Sequence, residues 1–230
     1  MRQLPALLGM LCVASAASAG PAVVAHGACP QYAVDIESFA TCDGDRVAMP
    51  YDIRLGDDLL LAEADVPTGK RTFASLYVDA QRAYALRHRY PGAVVLVDIR
   101  STMELGLTGH AEGVDLNVPF YEIIQPLVWN EPSQGWTMAA NPRFAAQLDQ
   151  RLQQQGVSHD AVVMLICRSG DATARAADEL TLRGYRRVVS VVDGYEGDLG
   201  PDGQRASNGW KNAGLPWIAR ANTVLIAGAR

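Results

Sequence analysis

Residues 161–173 read AVVMLICRSGDAT, an apolar run that passes directly into a short polar loop. A continuous apolar segment of this length is typical of a strand buried on both faces of a sheet. The following residues, 173–183, predict a helix that ends at Gly184. Strand, tight loop and helix together form the repeating unit of α/β proteins, so this stretch predicts a parallel sheet covered by helices.

The same alternation extends outward on both sides. Apolar runs predict further strands at 74–78, 93–98, 114–120 and 187–192. A helix is predicted from the N-cap Asp79 to residue 89, and another from Asn141-Pro142 to residue 155. Residues 121–140 have a loop-like pattern, and residues 20–73 form an irregular N-terminal extension. The predicted fold class is therefore α/β, with a central parallel sheet flanked by helices.

Composition excludes several classes of protein. The chain has 230 residues, a net charge of -5 and four cysteines. It carries no excess of Lys and Arg, as a nucleic-acid or anionic-membrane binder would need. No apolar segment is long enough to span a bilayer, and four cysteines are too few to staple a chain of this size. The chain is long enough to bury a core of its own.

The N-terminus has the pattern of an export signal. Residues 1–19 combine Arg2, an apolar centre and the small-residue ending Ala17-Ser18-Ala19. A buried N-terminal helix is the alternative, but Pro5 argues against it. We expect cleavage after Ala19 and a periplasmic or secreted location.

Cleavage would leave three cysteines in an oxidising compartment. Cys29 and Cys42 lie close together in a segment rich in Gly, Pro and Asp, so we expect them to form a disulfide worth about 3 kcal/mol. A metal pair is the alternative, although the spacing matches no zinc pattern and only His26 is near. Cys167 is then a free thiol that calls for an explanation.

Cys167 lies where parallel sheets bind ligands, at the carboxyl end of a predicted strand. The loop after it can turn its backbone N–H groups inward, and the next helix adds its positive end. This environment, with Arg168 beside it, predicts a reactive thiolate whose pKa lies below that of free cysteine. Gly170 would permit a positive φ in this loop. Asp171 would oppose the thiolate, and a buried, inert cysteine is the alternative.

Several segments of the chain resemble the motifs of the rhodanese-like domain and occur in the same order as in that family. CRSG is similar to the family's active-site loop, and four other segments resemble its remaining motifs over residues 74–217: VDIR at 97–100 with Glu104, GHAEGVDLNVP at 109–119, VDGYEGD at 192–198 and GWKNAGLP at 209–216. The loop departs from the family at Ala172, where an arginine is usual, while Thr173 keeps the hydroxyl position.

The resemblance implies a sulfurtransferase that needs no metal or cofactor. Cys167 would take sulfur from thiosulfate or a persulfide donor and pass it to a thiol or cyanide. The donor would bind along the loop formed by Arg168, Ser169, Gly170, Asp171, Ala172 and Thr173. No nucleic acid is expected as a partner, whereas a periplasmic redox protein is compatible with the predicted location. The domains would be 1–19, 20–73, 74–217 and a tail at 218–230.

Two other functions fit the same residues. A cysteine phosphatase would need an arginine at the position of Thr173, which makes it the weaker alternative. A non-catalytic sulfur-carrier, redox or partner-binding module is the stronger one, because Asp171 and Ala172 would weaken the loop as a catalytic site.

Overall fold

The computed structural model describes residues 53, 55–56, 59–131, 135–220 and 225. The predicted signal segment 1–19 and the predicted Cys29–Cys42 pair lie outside the described residues. Within the described part of the chain, no helix is long and apolar enough to cross a membrane.

The centre of the fold is a five-stranded parallel sheet. Its strands are Tyr77–Val78 (β1), Val94–Asp98 (β2), Leu116–Asn117 (β3), Val162–Ile166 (β4) and Arg187–Val191 (β5). Their spatial order is β1-β5-β4-β2-β3, and every neighbouring pair runs parallel. The predicted α/β class with a parallel sheet is confirmed.

The two faces of the sheet belong to different apolar clusters because successive side chains of a strand point to opposite sides. In β4, Val163 and Leu165 face one cluster, while Val162, Met164 and Ile166 face the other. All five of these side chains are fully buried. β4 is therefore the innermost strand of the fold, and Cys167 directly follows it.

Within the described residues, the α-helices are Ala80–Arg89 (α1), Thr102–Thr108 (α2), Phe144–Gln154 (α3) and Asp171–Leu182 (α4). The apolar residues of α1 pack on one face, and those of α3 and α4 pack on the other. The predicted N-cap of α1 is confirmed, because the Asp79 carboxylate accepts a hydrogen bond from the Arg82 N–H at 2.7 Å.

Four predicted details are wrong. The strands predicted at 74–78 and 114–120 are confined to β1 and β3. Helix α3 begins at Phe144 rather than after Asn141, because the Asn141 side chain forms a turn before the helix, where its Oδ1 accepts a hydrogen bond from the Arg143 N–H at 3.0 Å. Residues 121–140 contain short antiparallel pairs instead of a loop only, Tyr121–Ile123 with Met138–Ala140 and Trp129–Asn130 with Gly135–Trp136.

The described part of the N-terminal extension packs into the domain. Its two short 3₁₀ turns, Glu63–Asp65 and Thr68–Lys70, precede β1. Leu59 belongs to the apolar cluster that α1 covers, and Val66 is 1% exposed. After Lys70, the backbone N–H of Phe73 donates to the Asp178 carboxylate of α4 at 2.8 Å. These contacts bring residues 66–73 close to the loop that carries Cys167.

Candidate active site

Cys167 lies at the floor of a small pocket at the carboxyl edge of the sheet. The residue is only 5% exposed, and the pocket has a volume of about 130 Å³. A cavity of this size suits a small anion or the end of a single side chain, since drug-sized ligands need several hundred Å³. Among the residues that the structure describes, Cys167 is a free cysteine.

The loop after β4 surrounds the sulfur with backbone donors. The Gly170 N–H donates to Cys167 Sγ at 3.1 Å. The N–H groups of Ala172, Ser169 and Thr173 also interact favourably with the sulfur. These donors, together with the N-terminus of α4, form an anion-binding cradle around the sulfur. We refer to residues 167–173 as the cradle.

The carbonyl groups of the cradle point outward, and each has a donor behind it. Four consecutive carbonyls are held in this way: Cys167 by Tyr195 N–H at 2.8 Å, Arg168 by Glu196 N–H at 2.8 Å, Ser169 by Lys70 Nζ at 2.7 Å and Gly170 by the Thr173 hydroxyl at 2.7 Å. Since N–H and C=O of one trans peptide point in opposite directions, outward carbonyls mean inward N–H groups.

Gly170 is required at the tightest point of the cradle. Its φ of +88° lies in the left-handed region that favours glycine. A Cβ at this position would lie 2.0 Å from the carbonyl oxygen of Val192. The conformation and the close approach therefore both exclude a side chain.

The buried sulfur has a raised pKa. Burial raises the pKa of the Cys167 thiol, and the N–H groups of Ala172, Ser169, Gly170 and Thr173 lower it without outweighing burial. The prediction of a lowered pKa is therefore wrong, because the sequence does not show how completely β4 and its neighbours remove water from the sulfur. The cradle holds a thiol that must lose its proton before it can act as a nucleophile.

Five of the seven residues predicted for the site line the pocket: Cys167, Arg168, Ser169, Asp171 and Ala172. The Asp171 side chain is 74% exposed and accepts a hydrogen bond from the Ser169 hydroxyl at 2.6 Å. Arg168 is exposed at the rim. Both charged side chains therefore lie at the entrance rather than beside the sulfur.

Gly170 and Thr173 contribute backbone N–H groups to the cradle. Their N–H groups face the sulfur, whereas the Thr173 hydroxyl lies behind the cradle, 2.7 Å from the Ser190 hydroxyl of β5. The Thr173 side chain thus supports the loop and is turned away from the pocket.

The opposite wall comes from the turn between β2 and α2. Ser101 and Glu104 line the pocket and form a reciprocal capping box at the start of α2. Arg100 also lines it, but its guanidinium is paired with the buried Asp98 at 2.6 Å. Both side chains of that pair are buried, so the pair stabilises the end of β2.

Sequence reasoning missed two parts of the site. Tyr121 and Met138 of the short antiparallel pair complete the apolar side of the pocket. Lys70 reaches the back of the cradle from the N-terminal extension. A single lysine in the turn sequence Pro67-Thr68-Gly69-Lys70 has no pattern that would predict burial.

The described residues contain no group of three or more His, Cys, Asp or Glu side chains that could hold a metal ion. Buried His110 lies outside the pocket lining, and its Nδ1 is 3.0 Å from the carbonyl of Ala111.

Known proteins resemble this chain over only part of its length. No family model matches the chain. An uncharacterized protein of Rickettsia conorii is 35% identical over 57 residues, which cover 25% of this chain and 42% of that protein. One from Rickettsia prowazekii is 33% identical over 58 residues with the same coverage. The chain thus matches less than half the length of these relatives.

Two solved structures are similar in part. The crystal structure of Rv0390 from M. tuberculosis is 27% identical, with a TM-score of 0.47, and the match covers 62% of this chain and 96% of that one. A variant of EanB in complex with ergothioneine covalently linked to a persulfide cysteine is 15% identical, with a TM-score of 0.39. That match covers 67% of this chain and 33% of the other.

Proposed function

We propose that this protein is a rhodanese-type sulfurtransferase that carries sulfane sulfur on Cys167. The observation that carries the proposal is the cradle, in which a sulfur at the floor of a small pocket faces several backbone N–H donors. The ordered motifs from residue 97 to residue 216 support the same family. A persulfide is more acidic than a thiol, so its anion suits this arrangement of donors.

The proposed reaction has two displacement steps. After Cys167 loses its proton to solvent, the thiolate attacks the outer sulfur of the donor. A new S–S bond forms to Sγ, and the donor's own bond to that sulfur breaks. With thiosulfate, sulfite leaves with the electron pair. A thiol or cyanide then attacks the outer sulfur of the persulfide, and the Cys167 thiolate leaves, so no external oxidant or reductant is required.

The first turn of α4 adds no cation to the pocket. Glu104, Asp171 and Arg168 line the pocket, and the cation Arg100 is paired with Asp98. Ala172 occupies the place where the resembled family usually has an arginine. We therefore propose a persulfide of a thiol as the preferred donor, with thiosulfate as the poorer one.

Mass spectrometry of the intact protein tests this function. The wild-type chain is incubated with thiosulfate or with a small organic persulfide and then weighed under non-reducing conditions. We expect a gain of one sulfur that is lost again on addition of cyanide, with thiocyanate as the product. The Cys167→Ser variant should gain none, because it lacks the nucleophile.

The outcomes distinguish the alternatives. A Cys167 persulfide that forms and is removed once by cyanide, without sustained thiocyanate production in excess donor and cyanide, would favour a non-catalytic carrier. Absence of any adduct with both donors, or an equal adduct on Cys167→Ser, would contradict a sulfur-carrying role for this cysteine.

We further propose export through residues 1–19 and a disulfide between Cys29 and Cys42. The sequence patterns described above support both. Sequencing the N-terminus of the exported protein and weighing it before and after reduction test them. An intact Met1 in exported protein, or two free thiols at Cys29 and Cys42, would contradict these proposals.

A further inference from the structure

Lys70 is a buried lysine at the back of the cradle. The residue is 6% exposed, although lysine normally keeps its ammonium group in water. A buried ammonium is costly unless each of its three N–H groups has a partner. Lys70 Nζ has three acceptors: Ser169 O at 2.7 Å, Val192 O at 2.9 Å and Asp198 Oδ1 at 2.5 Å.

The contact with Ser169 acts on the donor that faces the sulfur. The carbonyl of Ser169 and the N–H of Gly170 belong to one trans peptide and point in opposite directions. Lys70 therefore lies on one side of this peptide, and Cys167 Sγ lies on the other, 3.1 Å from the Gly170 nitrogen. A cation on the carbonyl also polarises the peptide and strengthens its N–H as a donor.

Lys70 also binds the Val192 carbonyl, which packs closely against Gly170. The Val192 carbonyl is the group that a side chain at residue 170 would strike. By binding the carbonyls of Val192 and Ser169 together, the ammonium holds the turn after β5 against the cradle. Asp198 supplies the counter-charge: burial raises the pKa of this carboxyl, but hydrogen bonds from Lys70 and Asn208 outweigh it and lower the pKa.

We propose that Lys70 is a positioning residue for the Cys167 nucleophile, which keeps the Ser169–Gly170 peptide turned so that its N–H faces the sulfur. The inference rests on the proposed role of Cys167. It assigns a function to the N-terminal extension, because Lys70 lies before the segment that resembles the rhodanese-like domain.

Other charged groups near the sulfur also influence Cys167, and their influence has to be distinguished from that of Lys70. Arg100, Glu104, Arg168 and Asp171 line the pocket with Cys167. Lys70 itself faces two carboxylates, Asp198 at 2.5 Å and Asp171 at 3.9 Å. A matched variant must therefore remove a lysine elsewhere and leave all of these groups in place.

The pH dependence of thiol alkylation tests the proposal on the full chain. Iodoacetamide reacts with the thiolate, and peptide mass spectrometry reads the rate at Cys167 separately from the other cysteines. In Lys70→Met, the Gly170 N–H loses its fixed direction, so we expect the midpoint of the profile to move up by about one pH unit, or about tenfold slower reaction at neutral pH.

Lys211→Met is the matched control, since it removes the other lysine of the chain, which lies over the Trp217 ring at 4.2 Å. Its midpoint should equal that of the wild type. Lys70→Arg keeps a cation with several donors and should recover part of the shift. A folded Lys70→Met with the wild-type midpoint would overturn the proposal.

If Lys70→Met does not fold, NMR of the wild-type chain provides the test. A positioned Lys70 ammonium should give a solvent-protected signal that shifts, together with the Gly170 amide, when Cys167 is alkylated. An ammonium that exchanges freely with water would overturn the proposal. Alkylation does not require sulfur transfer, so it tests the role of Lys70 separately from the proposed function. Failure of the Lys70 proposal and failure of the sulfurtransferase proposal are therefore distinguishable.

Discussion

At the scale of single residues, the proposed chemistry depends on a sulfur that is almost entirely removed from water. Cys167 is 5% exposed, and burial raises the pKa of its thiol although four backbone N–H groups oppose this. Under the proposed function, the backbone donors of the cradle would stabilise the anion of a Cys167 persulfide, which is more acidic than the resting thiol.

The raised pKa predicts a reaction that speeds up at alkaline pH. The thiolate fraction of Cys167 at neutral pH is lower than that of free cysteine, so the initial rate of sulfur uptake should rise with pH to a midpoint above that of free cysteine. Rates measured from pH 6 to pH 10, with glutathione as the reference thiol, check this. A rate that is constant between pH 6 and pH 8 would contradict it.

Residue-level prediction from sequence succeeded where the signal is local. The CRSG segment indicated the loop, the helix after it and the positive φ of Gly170, which the structure shows at +88°. It did not indicate the raised pKa, which depends on packing by other elements. Lys70 was missed because the Ser169 carbonyl that it binds lies 99 residues away in the chain.

At the scale of elements, the first turn of α4 forms part of the pocket wall beside Cys167. Asp171 and Ala172 begin this helix and line the pocket. The partial positive charge of the helix N-terminus favours anions, but Asp171 counteracts it, and Ala172 adds no cation. The turn therefore supplies backbone N–H donors but no cation of its own.

An arginine at residue 172 should increase the use of thiosulfate. The added cation would lie at the pocket wall, so we expect Ala172→Arg to raise kcat/KM for thiosulfate about tenfold, equivalent to about 1.4 kcal/mol. The gain with an organic persulfide should be smaller. Leu182→Arg, which adds the same charge at the exposed far end of α4, is the control. Equal gains in both variants would contradict the argument.

Elements were predicted well where they are long and apolar. Strands β2, β4 and β5 and helices α1 and α4 lie within a few residues of their predicted bounds. Helix α2 was not predicted, although the Ser101–Glu104 capping box is visible in the sequence. The short pairs within residues 121–140 were missed because two or three residues are too few to show a strand period.

At the scale of the whole molecule, the described part of the N-terminal extension and the sheet form one packed unit. Val66 is 1% exposed, and Leu59 shares an apolar cluster with α1. Lys70 links the extension to the cradle, and Phe73 links it to α4. The motifs that resemble the rhodanese-like domain begin after this segment and so do not include all of the residues that support the site.

Truncation should show that the stability of the domain depends on the N-terminal extension. A chain that begins at Ala74 loses Val66 and Lys70, so its free energy of unfolding should fall by at least about 3 kcal/mol, given the usual cost of removing buried side chains. A chain that begins at Leu59 keeps both residues and should be clearly more stable. Thermal unfolding followed by circular dichroism compares the two. Equal unfolding temperatures would contradict the prediction.

The contacts of Lys70 also set an order of events during synthesis. Lys70 precedes Ser169 by 99 residues and Val192 by 122 residues, so the lysine is synthesised well before either of its backbone partners. The cradle cannot be braced until β5 and the turn after it have emerged. The support of the cradle therefore joins a residue that precedes the whole sheet to the turn after the last strand of that sheet.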